Sequence, residues 1–383
     1  MDATLARWVT SPEALPALER AASFADPMSL QAASAMRREW DPAQAAAALT
    51  QVTLRRQAAA KFGERAGALF FTPDGLQQAT RSGVAAWRAA RFAAAGVRAV
   101  VDVGCGIGAD ALAFADAGLD VVGVEADAAT AVLAQANLAG RGRVVHALAE
   151  DVVAGLLGPG VAVFVDPSRR TPRGRSWRIE DLSPSWDFAL GLLRGRFGCV
   201  KAAPGLDRAA LPGDCEAVWV ADSGDLVELS LWPGGRGRAA VLLPGADRLD
   251  VGDAPPAPVA PPGAFVYEPD PAVIRSGGVD TLARRLDAWR LAPGIAYLSA
   301  DALVATPFAR AFAVADTLPF DERTLRAWVR ERQVGVLEIK TRGLDVDPAV
   351  LRKRLKPSGP ASATLILTPT PQGAQALVVR RVG

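Results

Sequence analysis

Four carboxylates stand at the ends of short apolar runs in the middle of the chain, and a lysine ends a fifth run. Asp102 lies just before the glycines of Val100-Val101-Asp102-Val103-Gly104-Cys105-Gly106-Ile107-Gly108, and Glu125 follows Val121-Val122-Gly123-Val124. Asp151, after Glu150, follows the run 143–148, and Asp166 follows Val163-Phe164-Val165. Lys201 follows Phe197 to Val200 and is one of five lysines among 43 basic residues. Side chains of these kinds can accept a pair of hydroxyls, balance a cation and handle a proton. Glycines leave bare backbone that a ligand can approach, and the N–H groups opening the next helix face it. Together they call for a nucleotide-type cofactor beside a proton-handling group.

Positioning these residues requires the runs to be strands of one sheet. Residues 97–104, 120–124, 143–148, 161–165 and 197–202 are short, apolar and separated by helical stretches. That pattern predicts a doubly wound α/β domain, a parallel sheet covered on both faces. Ligands bind such sheets at the carboxyl ends of the strands, where the acids fall. The runs 225–232 and 237–243 flank Pro233-Gly234-Gly235-Arg236 and are expected to form an antiparallel hairpin ending the sheet. Upstream, residues 1–95 read as a helical domain with starts at Ser11-Pro12, Asp26-Pro27, Asp41-Pro42 and Thr72-Pro73. Each pair is a capping oxygen before a proline whose missing N–H the helix does not use. The sheet domain is expected over 96–250, a stiff proline-rich linker over 251–263, and an α+β domain over 264–383.

On spacing alone the glycine turn is ambiguous, because Gly104, Gly106 and Ala109 also satisfy the dinucleotide pattern. The flanking acids decide. S-adenosylmethionine carries a sulfonium and an ammonium and no phosphate, so its site favours carboxylates that a pyrophosphate site would avoid. The expected cofactor residues are therefore Asp102, Gly104, Gly106, Gly108, Glu125 on the ribose hydroxyls and Asp151 against the adenine amino group. These features resemble the class I S-adenosylmethionine-dependent methyltransferases: an acid before GxGxG, acids ending the second and third strands, and Asp166-Pro167 ending the fourth. The resemblance covers about residues 97–245 and implies a Rossmann-like fold and methyl transfer.

The whole chain also resembles a bacterial methyltransferase family in which a THUMP-like domain follows the catalytic one. The segments that carry this are Phe71-Thr72-Pro73, Leu76-Gln77-Gln78-Ala79-Thr80, Trp87-Arg88-Ala89-Ala90-Arg91-Phe92, Asp166-Pro167-Ser168-Arg169-Arg170, Lys201-Ala202-Ala203-Pro204-Gly205, Tyr267-Glu268-Pro269-Asp270-Pro271 and Leu337-Glu338-Ile339-Lys340-Thr341-Arg342-Gly343. THUMP domains occur in enzymes that modify RNA, so the resemblance implies a THUMP-like fold for 264–383 and an RNA substrate, tRNA or rRNA.

Methyl transfer is an in-line displacement, so the acceptor must be held about 3 Å from the methyl carbon and relieved of a proton where necessary. Base amino groups are usually methylated beside Asn/Asp-Pro-Pro-aromatic. Asp166-Pro167 fits that pattern, while Ser168 and Arg169 replace the second proline and the stacking ring. Pyrimidine carbon-5 methylation needs a cysteine nucleophile, but Cys105, Cys199 and Cys215 sit in the turn, mid-strand and after a Pro-Gly loop, and read as packing residues. Ribose 2′-oxygen methylation in one enzyme class uses Lys, Asp, Lys, Glu in that order, which Lys61, Asp166, Lys201 and Glu228 offer. Asp166 and Lys201 are the expected catalytic residues. For Lys201 the alternative is a structural ion pair with Asp166 or Glu228, since charge at a sheet rim needs a counter-charge.

Five arginines, 169, 170, 173, 175 and 178, precede Glu180 and suit phosphate binding. Arg169, Arg170 and Arg173 are the expected substrate contacts, with Lys353 from the cluster Arg352, Lys353, Arg354, Lys356. Trp177 and Trp186 are candidates for base stacking. Two alternatives stand beside RNA methylation: the same cofactor with a protein or small metabolite as acceptor, and a catalytically idle RNA-binding module.

Composition bounds these readings. A chain of 383 residues, 50% hydrophobic and 22% charged, is a folded multidomain protein. With 43 basic and 41 acidic residues it has no strong overall field, although 264–383 gathers 17 basic against 12 acidic. Three cysteines without a CxxC pair, and a lone His146 in a strand-like run, exclude a disulfide framework and a multi-histidine metal site. No metal is expected. With no apolar segment of the ~18–20 residues a span needs and no leader-like start, the protein is expected to be cytoplasmic, without a membrane partner.

Overall fold

The helices before the first strand are α1 Ala3–Val9, α2 Leu15–Ala22, α3 Leu30–Met36, α4 Pro42–Phe62, α5 Pro73–Gln78 and α6 Ser82–Ala94. Asp41 and Thr72 start α4 and α5 as expected, accepting from the N–H of Ala43 at 2.8 Å and of Gly75 at 2.9 Å. Ser11-Pro12 opens a short 3-10 turn that runs into α2. Asp26-Pro27 starts no helix: Asp26 accepts from Met28 N–H at 2.9 Å in a turn, and the hydroxyl of Ser29 caps α3 instead.

The computed structural model describes residues 1–169 and 179–382, which divide into one unit of 1–216 with 228–236 and a second of 217–227 with 237–383. In the first unit β1 Ala99–Val103, β2 Asp120–Glu125, β3 Arg143–His146 and β4 Val161–Val165 alternate with α7 Ala109–Asp116, α8 Ala128–Leu138 and α9 Ala149–Leu156. The two-residue strands β5 Ser168–Arg169 and β6 Leu182–Ser183 pair with each other, and α10 Trp186–Gly191 leads to β7 Gly198–Ala202. After β8 Cys215–Asp222, β9 Asp225–Pro233 returns to this unit. Its strands run in the order β9-β7-β4-β1-β2-β3, parallel except for β9. This is the doubly wound sheet expected. The early helices share its core: Ala6, Val9, Met36 and Val52 are buried with Ala129 and Leu133 of α8.

Register explains the rim. Val103 pairs with both Val124 and Val165, and Val165 pairs with Val200. The residues that follow, Gly104, Glu125, Asp166 and Lys201, therefore reach the carboxyl edge side by side.

The hairpin expected from 225–243 does not form. β9 pairs antiparallel with β7, while β10 Arg238–Leu243 lies parallel to β8 in the second unit and antiparallel to β11 Asp247–Val251. Both runs are buried over most of their length, as strands covered on both faces are.

The second unit also holds β12 Phe265–Pro269, β13 Trp289–Arg290, β14 Leu298–Ala300, β15 Ala309–Pro319, β16 Val334–Thr341, β17 Ala361–Thr370 and β18 Gly373–Val382, in the order β13-β14-β12-β15-β18-β17-β16. Its helices are α11 Pro271–Ser276, α12 Val279–Leu286, α13 Glu322–Glu331 and α14 Pro348–Leu355. Strand alternation divides the core between the two faces. Leu365 and Leu367 pack under Leu325 and Leu351 of α13 and α14, while Ile366 joins Phe312 and Tyr297 on the other side. Among the described residues no helix is long and apolar enough to cross a membrane.

Candidate active site

A cleft of about 940 Å³ opens over the rim, within the ~300–1,000 Å³ of small-molecule sites. Gly104 and Gly106 form its floor with φ of 75° and 55°, left-handed values that favour glycine. A Cβ at Gly104 would meet the Asp166 carbonyl oxygen at 2.9 Å, so that glycine lets the turn pack on the end of β4, whereas one at Gly106 would meet nothing within 4 Å, so Gly106 presents open backbone to the cleft. The Gly106 N–H donates to Glu125 Oε2 at 3.0 Å and the Asp127 N–H to Oε1 at 2.8 Å. Both carboxylate oxygens are thus aimed by the backbone, and each keeps a lone pair for a ligand hydroxyl. A nucleoside cofactor with vicinal hydroxyls fits this cradle.

The remaining cofactor candidates are placed less directly. Gly108 caps α7 with a left-handed φ of 84°. Asp102 is wholly buried below the floor, with neither oxygen hydrogen-bonded, and is absent from the cleft lining. Burial, with Asp110 and Asp166 nearby, pushes its carboxyl well above the usual range. Asp151 is exposed in the first turn of α9 and does not line the cleft, whereas Glu150 does.

Asp166 and Lys201 come together as their strands dictate: Lys201 Nζ donates to Asp166 Oδ2 at 2.7 Å. Burial raises the Asp166 carboxyl, although Lys201 pulls it back. For Lys201 burial alone would favour the neutral amine, but Asp166, Asp110 and Glu228 reverse the sign and hold it as a cation. Lys201 Nζ also donates to Thr80 Oγ1 at 3.0 Å, and Thr80 donates to Asp110 Oδ2 at 2.6 Å. Beyond Asp110, the buried Arg88 donates to its Oδ1 and, through Nη2, to Glu228 Oε1 at 2.6 Å and Oε2 at 2.5 Å.

The Lys, Asp, Lys, Glu set is therefore only partly assembled. Glu228 is engaged by Arg88, and Lys61 Nζ donates to the carbonyls of Leu76, Gln77 and Ala79 at 2.7, 2.7 and 3.1 Å. Thr80 and Asp110 also line the cleft, and no local sequence signal marks either as a site residue. The thiols are buried; desolvation raises Cys199 to about 12 and Cys215 to about 11, and holds Cys105 well above its ordinary value. None is a thiolate at neutral pH, which suits packing. His146 ends β3 and is exposed.

Arg170, Arg173 and Trp177 lie outside the described residues, as does the side chain of Arg169 at the end of β5. Trp186 opens α10 and is absent from the cleft lining. Lys353 is exposed on α14 beside Arg352 and Arg354, with Lys356 just after the helix. Arg354 faces Glu322 at 3.6 Å, whereas the other three have no ion pair among the described residues.

Residues 309–381 match the family described as THUMP domain-like, and residues 2–58 match a domain of unknown function (DUF8688). Proteins of Mycobacterium tuberculosis strains CDC 1551 and H37Rv, each described as an uncharacterized S-adenosylmethionine-dependent methyltransferase, are 35% identical over 333 residues, covering 82% of this chain and 90% of theirs. The crystal structure of a provisionally assigned methyltransferase from Porphyromonas gingivalis W83 has the same fold, with a TM-score of 0.76 over 97% of this chain and 98% of that one at 22% identity.

Proposed function

The chain belongs to the S-adenosylmethionine-dependent methyltransferases, and from that premise we propose that it methylates RNA, with Asp166 and Lys201 at the transfer site. S-adenosylmethionine supplies a methyl group on a cationic sulfur. Glu125 would accept the ribose hydroxyls, the bare backbone at Gly106 would admit the nucleoside, and Glu150 would take the adenine-side role expected of Asp151. Asp166 has one oxygen on Lys201 and offers the other to an N–H or O–H of the acceptor. Lys201, held as a cation, orients Asp166 and takes no proton at neutral pH; an amino nitrogen or a hydroxyl as acceptor would gain the methyl group as the carbon–sulfur bond breaks to leave neutral adenosylhomocysteine, and its proton would pass to the free Asp166 oxygen and on to solvent. Three buried free thiols support a reducing compartment such as the cytoplasm.

Glu125→Ala is expected to weaken adenosylhomocysteine binding at least about a hundredfold, since the two hydrogen bonds to a charged group contribute ~1.5–3 kcal/mol each. Calorimetry returning the wild-type affinity would place the ribose elsewhere.

The observation that carries the choice of RNA is that the THUMP domain-like match contains α14 and its exposed cations. Phosphate contacts release counterions, so retention of bulk tRNA on filters should fall steeply between about 50 and 200 mM salt. Combined replacement of Arg352, Lys353 and Lys356 by alanine should flatten the slope. A chain that retains no tRNA even at low salt would favour a protein or small-metabolite acceptor.

A further inference from the structure

We propose that Thr80 is a positioning residue for methyl transfer, its hydroxyl fixing the Lys201 ammonium against Asp166. The inference rests on Asp166 and Lys201 forming the transfer site. Thr80 is buried, and its single proton is committed to Asp110 Oδ2 at 2.6 Å. Its oxygen is therefore an obligate acceptor toward Lys201 Nζ at 3.0 Å. Asp110 is fixed in turn by Arg88, and Arg88 by Glu228, whose Oε1 also accepts from Ser230 Oγ at 2.6 Å. Lys201 thus lies between two acceptors held by unequal means. Asp166 is at the open rim, while Thr80 is backed by a buried row of alternating charge, so Thr80 is the rigid side of the pair.

The backbone that delivers Thr80 is itself held by side chains of helices in the same unit. Gln51 exchanges two hydrogen bonds with Phe71, donating at 2.7 Å and accepting at 2.9 Å. Asn137 accepts from Phe70 N–H at 2.8 Å and donates to its carbonyl at 2.9 Å. Lys61 gathers three carbonyls just before Thr80. These contacts give the helical N-terminal segment a role: it forms one wall of the cleft and carries a hydroxyl to the lysine of the transfer site.

Thr80→Val keeps the shape and removes both hydrogen bonds, whereas Thr80→Ser keeps them. Two readouts on the full-length enzyme test the idea. In ¹³Cε-lysine NMR the chain gives five lysine signals, with Lys201 assigned through Lys201→Arg. Thr80→Val should displace the Lys201 signal and leave those of Lys340, Lys353 and Lys356 in place, whereas Thr80→Ser should leave the Lys201 signal where it is. With bulk RNA from a strain lacking the gene, Thr80→Val should lower kcat about ten- to hundredfold, the scale of a small misplacement of reacting groups, at unchanged adenosylhomocysteine affinity. Thr80→Ser should stay within a few fold of wild type. An unmoved Lys201 signal in Thr80→Val overturns the proposal whatever happens to turnover, as does a Thr80→Ser variant as impaired as Thr80→Val. If the wild type methylates no RNA, the RNA reading fails, and the NMR comparison still decides the role of Thr80.

Discussion

Replacing Asp166 by alanine is expected to lower kcat about 10²–10⁴-fold, the range for losing a positioned proton-handling group. Affinity for adenosylhomocysteine should stay within a few fold, because Glu125 and the glycine turn form a separate part of the cleft. Asp166→Asn should be nearly as impaired, since it keeps the shape and loses the charge that pairs with Lys201. The pH dependence follows from the raised Asp166 carboxyl. As pH falls through that raised value the group takes up a proton and loses both the ion pair and its acceptor oxygen, so turnover of the wild type should fall on an acid limb with a midpoint above the ~3.9 of an ordinary aspartate. An Asp166→Ala variant that turns over like wild type would remove Asp166 from the chemistry.

The second large effect is on stability. Arg88 is fully buried between Asp110 and Glu228 and lies over the ring of Phe164, 4.4 Å from its centroid. Burial alone would weaken its charge, but the two carboxylates outweigh that and hold the guanidinium ionised. Arg88→Ala leaves those carboxylates buried without their counter-charge, which costs about 3–5 kcal/mol. Against a total of about 5–15 kcal/mol for a folded domain that is a large fraction, and a urea titration should show the midpoint falling accordingly. Arg88→Met combined with Asp110→Asn and Glu228→Gln should recover much of the loss, because neutralising all partners removes the uncompensated charge. A loss below about 1 kcal/mol for Arg88→Ala would mean that water reaches the site.

What sequence could reveal here depended on locality. In a parallel sheet every strand delivers its next residue to the same edge, so Gly104, Glu125, Asp166 and Lys201 are legible as a rim from sequence alone. Partners set by tertiary packing are not: Thr80 meets Lys201 across 121 residues, and Arg88 meets Glu228 across 140. Arg88 sits in a helix between Trp87 and Ala89, where an arginine ordinarily faces solvent. Whether Asp151 or Glu150 lines the cleft depends on where α9 begins. Leu148 supplies no side-chain cap to mark that start, and each helical residue rotates its side chain by about 100°. For 225–243 the turn residues mark the break between two strands but cannot show which strands become their neighbours. At Lys61 the ammonium gathers three backbone carbonyls, a pairing that no residue-type pattern encodes.

The most direct test is nucleoside mass spectrometry of total RNA from a strain lacking the gene, complemented in parallel with wild type and with Asp166→Ala. One methylated nucleoside should be absent from the deletion strain, return with the wild-type gene and stay absent with the variant. An unchanged nucleoside profile on deletion, or full restoration by Asp166→Ala, would contradict methyl transfer to RNA at this site.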